Sequence, residues 1–383
     1  MAASYKSPGV YREEIFLKPE AKLPTGIPGF VGFATATNGS AAAPVALHRK
    51  EELTANFNSP PESYLAAVVT GFFENGGVRC YVAPADPDPD KDREAALRSA
   101  LNLLGPLQDL YLVAIPDAMV LRLADNSLDR QAVQRLQQAV LQHCAEHGDR
   151  LAILDALPGS TTEMVLEQRD CITQGQIEPL NGALYHPWLK TTDGQWIPPC
   201  GHVAGIFALT DAKAGVFKAP ANEEIQDALD LETVIDNRIQ DQLNPEGVNC
   251  LRAFPGRGIR VWGARTLNRD PNWRYINVRR LFLTVGRWID QNMPWAAFES
   301  NDPRLWVRIQ RELGTYLTGL WRAGALQGQT PAEGFYVKCD VETNPPESRE
   351  VGQVVTEIGL AVSSPAEFVV VRIIQHAGTT GVA

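Results

Sequence analysis

Apolar residues recur along this chain with two spacings, alternate and helical, and the most informative run is the last one, residues 367–375. Phe368, Val370, Arg372 and Ile374 point one way from its pleat, while Val369, Val371, Ile373 and Gln375 point the other. A strand so patterned is buried on both sides and needs neighbours. Left exposed, a β-branched run with one charge and no proline templates edge-to-edge aggregation. Ser363, Ser364 and Pro365 supply a hinge before it, and Gly378 to Gly381 fray after it. At the other end, Ser7, Pro8 and Gly9 form a turn. Residues 10–16 then predict a short strand carrying Arg12, Glu13 and Glu14, and Pro19, Pro24 and Pro28 keep the chain extended. A strand at each end behind a proline-rich connector suits exchange between protomers. Closure of one sheet within the chain is the alternative, and the pattern leaves both open.

Between these ends, strand and helix alternate. Residues 30–33 predict a strand and 62–74 a helix with Leu65, Val68, Val69, Phe72 and Phe73 inward, ended by Asn75, Gly76 and Gly77. Strands are predicted at 79–83, 110–115 and 151–155, helices at 92–104 and 129–147, and a solvated acidic connection at 86–90. Such units imply a parallel or mixed α/β sheet. Residues 201–210 and 222–231 read as helical or mixed segments, and 258–262 as a strand. The last third changes character, with long helices at 273–292 and 303–323. The start of the second is signalled by Asp302 before Pro303. Leu305, Ile309, Leu313, Tyr316, Leu317 and Leu320 share one face of it. Strands at 333–340, 352–362 and 367–375 complete a smaller α+β lobe. The expected fold class is therefore α/β plus α+β. Its parts are an N-terminal arm (1–20), an α/β lobe with a mixed sheet (21–257), a C-terminal lobe (258–362) and a C-terminal arm (363–383).

A chain of 383 residues exceeds the size at which single cores stop growing, which supports two lobes. Hydrophobic residues at 44% and charged ones at 21% exclude disordered and fibrous classes. There is no basic segment followed by an apolar core at the start and no apolar stretch of spanning length, so assembly in the cytoplasm without membrane insertion is expected. The cysteines at 80, 144, 171, 200, 250 and 339 are scattered and read as reduced packing residues. Charge is uneven. Residues 251–325 hold thirteen arginines, no lysine and five acids, a net of +8 that leaves −18 to the rest of a chain whose formal charge is −10. Arginine without lysine points to planar, many-armed ion pairs at interfaces. The overall acidity, the missing lysines and the absence of a recognised motif argue against nucleic acid as partner.

The search for an active site is mostly negative. No phosphate loop, dinucleotide fingerprint, nucleophile elbow or H-E-x-x-H is present. His143 and His147 have the spacing of one metal edge but lack a third ligand, and read as a helix end. Gly256, Arg257 and Gly258 form a turn more readily than an anion cradle. Asp155 ends a buried strand where catalytic acids sit in doubly wound folds, but without base, nucleophile or cofactor loop it reads as a helix cap or turn former. His186, Trp188 and the tryptophans at 262, 273, 288, 295, 306 and 321 read as core and interface anchors. No cofactor is expected. The rival class is a cytoplasmic α/β nucleotide-binding enzyme with an unrecognised site.

Several motifs nevertheless form a recognisable set. They include Tyr5 with Ser7 to Tyr11 and Glu13-Glu14, Phe72-Phe73 with Asn75 to Gly77, Cys80 to Val82, Val203 to Ile206 leading to Asp211, and Ala219 to Asn222. The long run 258–267 follows, then 273–280, Phe298-Glu299 with Asn301, Leu305-Trp306, Gly324 to Leu326 with Gly328, and Pro365 to Phe368. In these the sequence resembles the sheath subunits of contractile phage tails and related contractile injection systems, including R-type pyocins. The resemblance implies a helical homopolymer of stacked rings around an inner tube, with baseplate and tail terminator or cap proteins, and sheath paralogues, as further partners. It implies that Val10, Tyr11, Arg12, Glu13, Glu14 and Ile15, and Phe368, Val369, Val370, Val371, Arg372, Ile373 and Ile374, join sheets of neighbouring copies. It places the C-terminal lobe against the tube, so that Arg279, Arg280, Arg287, Arg304 and Arg308 are expected to meet acidic groups on the tube or on adjacent subunits. It further implies a trapped extended state that contracts as lobes rotate and repack, in a particle that is released or membrane-anchored. The short span after Phe33 suits a compact, pyocin-like or extracellular-injection-type system.

Overall fold

The computed structural model describes residues 23–37, 43–88, 90–175 and 180–367. The expected strands at 10–16 and 368–375 lie outside them.

Six buried residues, Pro28–Phe33, form the central strand β1. The other strands of its sheet are β2 (Val45–Leu47), β3 (Cys80–Ala85), β4 (Leu112–Ala114), β5 (Leu151–Asp155), β6 (Gly182–His186), β7 (Val248–Phe254) and β8 (Gly258–Trp262). Their order is β8-β7-β6-β5-β4-β1-β3-β2. Pairings from β3 through β7 are parallel, and β2 and β8 close the edges antiparallel. The sheet is thus mixed, and both of its faces are covered. Along β1, Val31 and Phe33 enter one core and Phe30 the other, as alternation requires. Helices α1 (Leu65–Glu74) and α5 (Cys200–Lys213) cover one face. The other carries α2 (Arg93–Leu103), α3 (Arg130–His147) and α4 (Thr162–Thr173).

Caps explain where these helices start. Asp92 and Asp129 accept hydrogen bonds from the amides of Ala95 and Ala132. Helix α1 has no such side chain of its own. The buried Asp117 serves instead, accepting from Tyr64 N (2.7 Å), Ser63 Oγ (2.6 Å) and Phe33 N (2.7 Å). One carboxylate thereby ties the end of β1 to the start of α1.

The smaller lobe has α6 (Ile276–Asn292), α7 (Pro303–Arg322) and a hairpin of β9 (Phe335–Lys338) and β10 (Glu357–Leu360). Asp302 caps α7 through the amides of Arg304 and Leu305, with Pro303 in the first turn. Trp288 of α6 and Tyr316 of α7 stack with centroids 4.1 Å apart. Leu281, Val285 and Leu317 share a core with Val216, while Leu305, Trp306, Ile309 and Leu313 share one with Cys339.

Three expectations are corrected. The boundary between 257 and 258 would cut the antiparallel pair β7-β8, so the large sheet runs to Trp262. Residues 222–231 hold no helix; Asp230–Leu231 is a short strand beside Leu189–Lys190. The strands foreseen at 333–340 and 352–362 shrink to β9 and β10, because Pro331–Gly334 and Pro346–Glu350 are helical turns begun by proline.

Candidate functional site

In doubly wound sheets ligands bind beyond the carboxyl ends of the strands, often with an anion at a helix N-terminus. Here that ground is filled by the protein itself. Asp117 occupies the N-terminus of α1. Asp155, at the end of β5, is buried beside Cys200 in the first turn of α5, but that helix has no side-chain cap and one oxygen of the carboxyl makes no hydrogen bond, so its reading as a helix cap is not met. Burial pushes Asp117 up to about 6 and Asp155 up to about 7, and drives the Cys200 thiol well above its usual range. Gln137 and Gln168 donate to the Asp155 carbonyl at 2.7 and 3.1 Å, and the Trp188 indole donates to the Ala156 carbonyl at 2.7 Å. These contacts seal the strand ends and fix the chain.

The remaining candidates from the sequence also resolve into structure. The His143 and His147 rings lie 4.5 Å apart, but His143 is buried 3.2 Å from Arg150 Nη1. Burial first, then Arg150, push it down to about 4. Among the described residues no group of three His, Cys, Asp or Glu is placed to hold a metal. Gly256 and Gly258 both have φ near +71° in the turn joining β7 to β8. All six cysteines are free, and five are buried.

The five singled-out arginines divide into two groups. Arg280 of α6 forks onto Asp211 of α5 at 2.7 and 2.5 Å, with both side chains 3% exposed or less. Arg287 pairs with Asp149 at 2.9 Å, donates to the Leu110 and Asp149 carbonyls, and lies 3.6 Å from the Tyr111 ring centre. Arg279 is half-buried, donating to Asn181 Oδ1 at 2.6 Å over the Trp273 ring. The expectation of surface contacts is therefore withdrawn for Arg280 and Arg287. They are interior bonds from the small lobe to the large one: Arg280 grips Asp211 with both prongs of its fork, while Arg287 makes its hydrogen bonds through Nη2 alone.

Arg304 and Arg308 are exposed on α7. Arg308 lies 3.6 Å over the Trp295 ring and 3.4 Å from Glu312. Val307, Phe298, Tyr336, Val341 and Val351 are also exposed in this lobe. Arginines interleaved with uncovered apolar side chains have the composition of an interaction surface. The exposed apolar group was not foreseen, although Val307 departs from the inward face of α7 by helical spacing. The hairpin β9/β10 pairs only its two strands, each with an outer edge not paired into a larger sheet among the described residues.

Comparison with known proteins follows the same division. The phage tail sheath protein central domain matches residues 116–267, and the phage tail sheath C-terminal domain matches residues 268–376. The chain is 25% identical over 228 residues, 58% of its length and 31% of the relative's, to the tail sheath protein of Vibrio phage KVP40. It spans between 23% and 60% of the length of the curated relatives it matches. It is also similar to the helical sheath of the anti-feeding prophage in its contracted state, with a TM-score of 0.77, 28% identity, and 97% and 100% of the two chains covered. The sheath complex of the PVC extracellular contractile injection system, likewise contracted, gives 0.76, 28%, 98% and 99%.

Proposed function

The chain belongs to the phage tail sheath family, and from that premise we propose that it is a structural subunit of a contractile sheath, polymerising helically around an inner tube and shortening to drive that tube through a target envelope. The observation that carries this reading is the small lobe's unfinished sheet. Two strands alone are marginal in water and offer backbone donors and acceptors at their edges. The chain's own termini supply two segments that read as strands, the charge-bearing run 10–15 and the β-branched run 368–374. Strands given by neighbouring copies would complete the hairpin's sheet and weave the subunits together through backbone pairing.

The inner tube, the baseplate and a terminator or cap protein are the partners this role requires. Arg304 and Arg308 on α7 are proposed to meet acidic groups on the tube or on adjacent copies. Exposed pairs of this kind release at modest cost because water takes over their partners. The work of contraction comes from interfaces formed in the shorter state, with no nucleotide consumed. Assembly takes place in the cytoplasm, in a tail or tail-like particle.

Deleting residues 1–16, or 365–383, tests the reading. Each truncated subunit is expected to stay folded by circular dichroism yet form no tubes under negative stain. Unfolding of either truncated chain would instead favour closure of one intramolecular sheet.

A further inference from the structure

The segment that leads into the C-terminal arm is moored by polar contacts. Gln327 N donates to the Ala361 carbonyl at 2.8 Å, and Asn277 Nδ2 donates to the Ser363 carbonyl at 3.0 Å. None of residues 363–367 belongs to an apolar cluster of the described residues. The last mooring is Glu367, whose carboxylate receives Arg265 Nε at 3.0 and 3.2 Å and also Nη2. The two side chains are 8% and 14% exposed, so water screens the pair little.

Arg265 is itself held rigidly. Asn249, buried on β7, accepts from the Arg265 amide at 2.7 Å and donates back to its carbonyl at 2.7 Å. Arg265 Nη1 donates to the Asn244 carbonyl at 3.0 Å. Gly263 lets the chain pass this close, since a Cβ there would lie 2.8 Å from Asn249 Oδ1. A guanidinium fixed at both backbone and side chain, gripping a carboxylate in fork geometry, defines one direction for the chain that follows.

We infer that the Arg265–Glu367 pair is the anchor of the C-terminal arm, setting where residues 368–383 leave their own subunit and passing any pull on them into β7 of the large sheet. This rests on the reading that those residues join a neighbouring copy. Arg265 and Glu367 are positioning residues, and two motifs that carried the family resemblance, 258–267 and 365–368, are the two halves of one contact. A tether attached through Ser363 alone would swivel about Pro365, and an incoming strand would meet its acceptor edge in many orientations.

The test compares full-length subunits carrying Glu367→Gln or Arg265→Lys with the wild type and with a chain ending at residue 367. Two quantities are read: the melting midpoint below the assembly concentration, and the concentration at which tubes pellet and appear under negative stain. The truncated chain should melt normally and form no tubes. Both substitutions should leave melting within a few degrees of wild type and raise the tube-forming concentration by about tenfold, as loss of one buried charged contact per joint predicts. If truncation abolishes tubes while both variants assemble at the wild-type concentration, the anchor is wrong and the arm reading stands. If the truncated chain still forms tubes, the arm reading falls and takes the anchor with it. If either variant unfolds or melts far lower, the pair is a folding contact and the proposal is overturned.

Discussion

Arg280 on α6 and Asp211 on α5 form a two-pronged ion pair sealed from solvent between the two lobes. Removing one partner strands the other charge in the interior. Arg280→Ala is therefore expected to destabilise the isolated subunit by about 3–5 kcal/mol, read from denaturant midpoints at constant slope. Arg280→Lys should recover part of the loss, since it keeps the charge but not the fork. A change below about 1 kcal/mol in the alanine variant would show the pair to be solvated in solution.

Surface arginines of the same segment should behave in the opposite way. Arg304→Glu is expected to leave the subunit's stability within about 0.5 kcal/mol of wild type, and Arg308→Glu, which also loses its contacts with Trp295 and Glu312, to lower it by about 1 kcal/mol, while both weaken the hold of the sheath on its tube. Raising salt should mimic them, because exposed pairs are screened over a Debye length of about 8–10 Å at physiological ionic strength. Sheath–tube association that ignores both salt and charge reversal would remove α7 as the contact.

Two buried groups predict opposite slopes of stability against pH. His202 is pushed down to about 4 by burial. Its contribution is present above the ordinary value of about 6.5 and is lost as pH falls through 4, at about 1.4 kcal/mol per unit. Asp155, pushed up to about 7, stabilises below the ordinary carboxylate range and loses that contribution as pH rises through 7. Relative to wild type, His202→Leu should gain stability as pH drops from 6.5 to 4, and Asp155→Asn should gain it as pH climbs from 4 to 7. Urea midpoints across pH 4–8 measure both trends. Parallel slopes would contradict them.

Phe298 is fully exposed and has φ of +66°. A bulky side chain in the left-handed region costs about 1–2 kcal/mol, a penalty glycine does not incur. Phe298→Gly should thus leave the isolated subunit as stable or stabilise it by about 1 kcal/mol, yet hinder assembly if the ring is covered in the lattice. Sedimentation of tubes from the variant, beside its melting curve, separates the two effects.

The large sheet was readable where its strands are short apolar runs bounded by turn residues, as at 151–155 and 110–115. Strands β6 and β7 were not read because their interiors are chemically mixed. Asn249 is buried on β7, and His186 on β6, among residues that would otherwise look like a core run. Helix α4 hid for a related reason: Gln168 and Arg169, polar by composition, are buried on its inner side. Arg280 and Arg287 looked like surface charge for want of their partners. Asp211 lies 69 residues from Arg280, and no local spacing reveals a pairing over that distance. Their separation of seven places both on one side of α6, beside Leu281 and Val285, and that was the legible hint.

The stitches along α6 have a bearing on motion. Arg280 and Arg287, two turns apart, bond this helix to residues of the large lobe, with Arg279 adding a bond to Asn181. Freeing one lobe to swing against the other would expose both the Arg280 and the Arg287 contacts together, which makes the swung form a rare one. The subunit then moves like a vertebra, stiff in itself, and any shortening of a column built from such pieces is absorbed in the ligaments that connect them.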